Sequence, residues 1–264
     1  EGIGVTLYEL LHVGLLEYIP FIILLLALFT ISGGVRLTGA LVGTPIVNLA
    51  IILIGTFLAS WMGTTGAAML LIRPLINANK HRKNIVHIIV FFIFLVANIG
   101  GSLTPLGDPP LFLGFLKGVD FFWTTTAMFV PMLIMIIALS IIFYFLDSYY
   151  LKKEDIKVEA PQEKLKLGIE GVFNLGLIVG VIGAVLISGF WKPHISFEVY
   201  SGVHLELQNL TRDILLLILT YISWTYTPQQ IRKDNEYTWF PIIEVAKLFA
   251  GIFVTIIPAI AILK

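Results

Sequence analysis

The sequence predicts an all-α polytopic membrane protein of about seven transmembrane helices, with one re-entrant hairpin and one helix broken inside the bilayer. Three observations carry this. The 264 residues are 58% hydrophobic and only 13% charged, with a mean hydropathy of +0.94, whereas a soluble domain carries roughly 25% charged residues. Apolar runs of membrane-crossing length, about 20 residues, alternate with short polar loops. One such run, Ile85 to Leu116, is interrupted by NIGGSLTPLGDPP at 98–110. Two adjacent glycines, Pro105, Asp108 and the pair Pro109-Pro110 do not thread an unbroken helix, because each proline removes an amide donor and clashes with the preceding turn. Non-helical backbone in a bilayer must be satisfied by protein or by a water-filled cavity. The break at 85–116 is therefore a candidate ion or solute site; the plainer alternative is a polar turn between two ordinary spans.

Taken in order, residues 1–16 place Leu7, Leu10, Leu11 and Leu15 at helical spacing and suit an interfacial helix. A first span covers about 17–31 and ends at Ser32-Gly33-Gly34, and a second covers about 45–60 with Asn48 inside it. The stretch 61–76 begins Trp61-Met62-Gly63-Thr64-Thr65-Gly66 and is too short for another full span. It reads as a re-entrant hairpin, the alternative being a small-residue packing face at Gly63–Ala68. After the broken segment come spans at about 122–146, 171–191, 210–226 and 245–263, the last containing Pro258.

The basic residues orient these spans. Loops 73–84, 147–170 and 228–244, with their helix ends, hold Arg73, Lys80, Arg82, Lys83, Lys152, Lys153, Lys157, Lys164, Lys166, Arg232, Lys233 and Lys247, twelve of the 17 basic residues. By the positive-inside rule these loops face the cytoplasm of a cell inner (plasma) membrane, and counting spans backward puts the N-terminus there too.

Several function classes fall away. With 17 basic and 17 acidic residues the formal net charge is zero, and no nucleic-acid footprint is visible. The absence of cysteine excludes disulfides and thiolate metal sites. There is no HExxH, no GxSxG and no Walker motif, and the five histidines lack ligand spacing; no enzyme and no cofactor is expected. His87 reads as an interfacial residue. The polar breaks read better as halves of one site. Ser, Thr and Asn oxygens with freed carbonyls are hard ligands of the kind that hold Na⁺, here at Thr64, Thr65, Asn98 and Asp108. Asp108 offers a carboxylate able to trade a proton for the ion; the alternative is that it only caps the helix after Pro109-Pro110.

The pair GTTGAAMLLIRPLI (63–76) and NIGGSLTPLGDPPLFLGFLKG (98–118) resembles the first-half signature of the ion transporter superfamily. That group holds the NhaD-type sodium/proton antiporters, arsenite permeases, and citrate and dicarboxylate symporters. The resemblance implies inverted repeats, each a hairpin followed by a broken helix, with elevator-like movement against a scaffold, usually in a homodimer. Carried over, the ion- or substrate-binding positions are Gly63, Thr64, Thr65, Asn98, Gly100, Gly101, Thr104, Gly107 and Asp108, with Pro105, Pro109 and Pro110 at the break. On this reading 1–150 is a first repeat, 151–170 a cytoplasmic loop and 171–264 the scaffold start of an incomplete second repeat. Glu1 in place of methionine and the still-apolar residues 251–264 read as a segment of a longer protein.

The symporters carry Ser-Asn-Thr where this chain has Gly-Thr-Thr at 63–65, and no lysine or arginine lies between 85 and 116. Both points favour sodium/proton antiport, with Na⁺ and H⁺ as the moving ions, over carriage of citrate, another carboxylate or arsenite. A non-transporting membrane scaffold is the reading from another class. The expected partners are the lipid bilayer, a small ion or anion, and a second copy of the chain.

Overall fold

The computed structural model describes residues 3–39, 41–154, 168–200 and 202–263. The architecture is all-α and polytopic, and among the described residues six helical stretches are long and apolar enough to cross a membrane. The first is one continuous helical run rather than an interfacial helix plus a span. Helix α1 (Ile3–Val13) passes through a π-helical segment, Gly14–Tyr18, into α2 (Ile19–Ser32). The wider π turn re-aims side chains, and here it carries Glu17, which pairs with Lys117 at 2.9 Å.

Helix α3 (Pro45–Met62) starts where Thr44 accepts a bond from the Val47 amide at 3.3 Å and Pro45 occupies the first turn. It stops at Gly63, whose φ of 78° lies in the left-handed region that suits glycine. Helix α4 (Thr64–Ala78) then returns beside α3 until the Gly43 amide bonds the Ala78 carbonyl at 2.8 Å. The hairpin is therefore larger than the sequence reading had it. The run 45–60, expected as a span, is its first arm and is long and apolar enough to cross a membrane, while 61–76 is its turn and second arm, with the turn at Gly63-Thr64.

The broken segment widens and then tightens before it stops. Helix α5 (Val86–Phe92) becomes π-helical over Ile93–Asn98 and 3-10 over Ile99–Leu103, and extended backbone at Thr104 ends it. Helix α6 (Pro109–Leu116) opens on its two prolines, where missing amides cost nothing. Helix α7 (Trp123–Lys153) follows, then α8 (Phe173–Phe190), α9 (Leu207–Tyr226), the short α10 (Gln229–Asp234) and α11 (Phe240–Leu263). Helix α9 covers the span expected at 210–226 but is not among the six apolar stretches. Two small antiparallel ribbons complete the structure: β1 (Arg36–Thr38) with β2 (Gly168–Glu170), and β3 (Ser196–Tyr200) with β4 (Val203–Glu206).

The helices form two layers. One holds the hairpin, the broken helix and α7; the other holds α1, α2, α8, α9, α10 and α11. The hairpin layer is sewn at one end by Asp147, which meets Arg82 at 2.5 Å, His87 at 2.7 Å and Asn48 at 2.9 Å. Asn48 and Asn79 bond each other in both directions. His87 is thus a buried partner of Asp147 rather than an interfacial residue. The second layer is sewn by Arg232, which donates to the Thr30 and Ser223 carbonyls at 2.8 and 3.0 Å. Its guanidinium lies 4.9 Å from the Trp224 ring centre and 5.1 Å from that of Tyr237, a cation–π setting. Asn174 ties the Gly34 carbonyl, Thr227 and Ser223 into the same layer. Between the layers the seam is apolar, built from Phe21, Leu24 and Leu28 facing Met62 and Phe112. Among the described residues it is crossed by hydrogen-bonded side chains only near its ends: Arg73 to Glu236 at 2.6 Å and to the Asp234 carbonyl at 2.8 Å, and Lys117 to Glu17.

The end that carries Arg73, Arg82 and Arg232 also carries Arg36, which pairs with Asp234 and Glu170. The connection 33–44 therefore lies with the basic loops, not opposite them. That places the start of α1 at the other end of the bundle, where it meets β4, and corrects the expectation of an N-terminus beside the basic loops. Lys157, Lys164 and Lys166 of the expected basic loop lie outside the described residues.

Candidate functional site

The hairpin tip and the helix break meet. The Thr64 amide donates to the Gly107 carbonyl at 3.2 Å, and the Ser60 hydroxyl donates to the Gly100 carbonyl at 2.5 Å. Thr104 donates back to the Ser60 carbonyl and accepts from the Leu106 amide at 3.2 Å. Thr124 and Thr125, at the start of α7, donate to the Leu103 carbonyl at 3.0 and 2.6 Å. The carbonyls freed where the broken helix stops are thus answered by hydroxyls, as backbone at membrane depth requires. Glycine is needed for this approach. A Cβ on Gly100 would lie 2.7 Å from the Thr56 carbonyl oxygen, and one on Gly101 2.8 Å from Thr64 Cγ2.

Beside this joint lies a cavity of about 200 Å³. Gly63, Thr64, Thr65 and Gly66 line it from the tip, and Pro105, Gly107, Asp108 and Pro109 line it from the break. The second layer closes it with Phe21, Leu24, Leu28, Phe29, Ile242 and Phe249. Its depth follows from helix rise: α4 runs about 22 Å from the tip to the basic end, and α6 runs about 12 Å from the break to Lys117.

Most of the residues singled out in the sequence converge here, in different roles. Gly63, Thr64, Thr65, Gly107, Asp108, Pro105 and Pro109 line the cavity, while Gly100, Gly101 and Thr104 build the joint behind it. Pro110 sits in the first turn of α6. Asn98 is not brought to the cavity: it is exposed, and its amide donates to the Ile93 carbonyl of its own helix at 2.9 Å. Asp108 occupies the cap position of α6 but its side chain makes no cap bond, so the capping alternative does not hold.

Donors from the tip face the cavity alongside the Asp108 carboxylate. The first three amides of a helix have no partner within it, and Pro109 and Pro110 remove two of the three at α6. At α4 the Thr64 amide is taken by Gly107, which leaves those of Thr65 and Gly66 free among the described residues. They sit at the positive end of the α4 dipole, with two threonine hydroxyls alongside. No sequence motif announced these amides, because backbone donors carry no letter. Ser32, fully buried at the end of α2, was also missed; a polar residue closing an apolar run was its only signal.

A protein-family model described as "Putative citrate transport" matches residues 1–264. The chain belongs to this family. The match places it in the ion transporter superfamily that the tip and break motifs resemble, and with six apolar helices it makes the chain a multi-pass membrane protein of a transporter family. No curated protein and no solved structure matches the chain.

Proposed function

We propose that this protein is a secondary transporter of citrate or a closely related carboxylate, with the cavity between hairpin tip and helix break as the solute site. The observation that carries the reading is the pair of free amides at Thr65 and Gly66, set at a helix N-terminus beside the Thr64 and Thr65 hydroxyls. Donors without acceptors, at the positive end of a dipole, suit a carboxylate. The family match points the same way and displaces sodium/proton antiport as the leading reading. Absence of a lysine or arginine from the broken segment loses its weight, since backbone amides supply the positive potential. Asp108 at the rim gives the anion a reason to arrive with a proton or a cation, which would neutralise the nearby carboxylate. In the membrane, the end carrying Arg36, Arg73, Arg82 and Arg232 faces the cytoplasm and the start of α1 lies outside.

Proteoliposomes test this. Labelled citrate is expected to accumulate under an imposed proton or Na⁺ gradient. Thr65→Val removes one hydroxyl from the site and is expected to raise KM roughly tenfold or more, the worth of a hydrogen bond to a charged group. Na⁺-driven proton movement reported by an internal pH dye, without carboxylate uptake, would return the protein to antiport.

A further inference from the structure

Ser32 is fully buried, and its hydroxyl has no hydrogen-bond partner. An O–H in that state carries the full cost of its lost water, and such groups are uncommon enough to need a reason. Its surroundings supply one. A Cβ built on Gly66 would run into Ser32 Oγ and lie 2.8 Å from Ser32 Cβ, so the hydroxyl faces the first turn of α4 at the one residue there that has no side chain. That same Gly66 lines the cavity and keeps its own amide free. Resting on the carboxylate reading above, we infer that Ser32 is a further ligand of the solute site. Its hydroxyl, with the amides of Thr65 and Gly66, forms a three-donor cradle for one carboxylate group.

The assignment has a structural consequence. The tip and the break belong to the hairpin layer, but Ser32 belongs to α2 in the opposite layer. A carboxylate held by all three donors would bridge the seam, and the cradle is complete only while α2 stands against α4. Gly66 is then required as glycine for access, because a methyl group there would cover the hydroxyl.

The test separates ligation from packing. The purified full-length chain, wild type and Ser32→Ala, is unfolded thermally in detergent at increasing citrate. Without citrate, Ser32→Ala is expected to melt at the same temperature or higher, because it deletes an unsatisfied buried group. With citrate, its Kd is expected to rise roughly tenfold or more, and Ser32→Thr, which keeps the hydroxyl, is expected to recover most of the affinity. Equal citrate affinity in wild type and Ser32→Ala would overturn the assignment and leave the transport reading standing. If wild type responds to succinate or another carboxylate but not to citrate, the same comparison is made with that anion. A wild-type chain that no carboxylate stabilises would sink both.

Discussion

Asp147→Ala is expected to cost about 3–5 kcal/mol of stability, the usual result of removing one partner from a buried ion pair. The Asp147 side chain is fully buried and so is that of Arg82, which it meets at 2.5 Å. The next carboxylate in reach of that guanidinium, Glu154, is 3.9 Å away and already accepts from Asn84 and Lys83. Deleting Asp147 therefore strands a desolvated cation, frees Asn48 from one of its acceptors and leaves His87 Nε2 without its partner at 2.7 Å. The midpoint of thermal unfolding in detergent should fall by roughly 10 °C. The double variant Arg82→Met with Asp147→Leu removes both charges and should lose less than either single change. An unchanged midpoint in Asp147→Ala would show that the cluster contributes nothing to holding the hairpin to α7.

Gly107→Ala is expected to abolish transport and to destabilise the protein by about 3 kcal/mol, the upper end for overpacking. The added methyl would meet the backbone of Gly101, with its Cα and its carbonyl carbon both at 2.7 Å and its oxygen closer still. Backbone cannot swing aside as a side-chain tip can, so the tip and the break must part and the Thr64-to-Gly107 bond is lost. Gly176→Ala and Gly183→Ala provide the contrast, because an added Cβ at either meets nothing within 4 Å. Both should be close to neutral in stability and in citrate uptake. Wild-type uptake by Gly107→Ala would mean that the close approach is dispensable.

Much of this was legible in the letters, for reasons that are physical. Adjacent glycines followed within ten residues by three prolines and an aspartate do not thread one helix, so the break at 98–110 announced itself, as did the turn at Gly63 in its run of small residues. Composition disclosed the bilayer. The extent of the hairpin was not legible, because an arm that packs against its mate and a helix that crosses the membrane share the same apolar alphabet. The bonds that join its two ends, Gly43 to Ala78 and Asn48 with Asn79, are what pair the arms. Asn98 looked like a ligand because it stands in the motif, yet helical phase turns it away from the cavity. Asp147 looked like the first residue of a loop, and nothing in the letters around Arg36 names the end it joins. Both depend on partners 60 or more residues away. The donor character of the site was the deepest omission, since amides take their meaning from where a helix begins.

The separate stitching of the two layers decides where the molecule yields to shear. Tearing within the hairpin layer strands Arg82, and tearing within the other strands Arg232. Among the described residues, displacement along the plane between them breaks hydrogen bonds only at the rim, at Arg73 and Lys117, whose groups water or headgroups can satisfy. Elsewhere the seam is mostly apolar, with the Ser32 hydroxyl facing Gly66 and the Arg212 guanidinium lying over the Phe112 ring as its polar exceptions. The protein thus contains a lubricated fault, and the site lies on it.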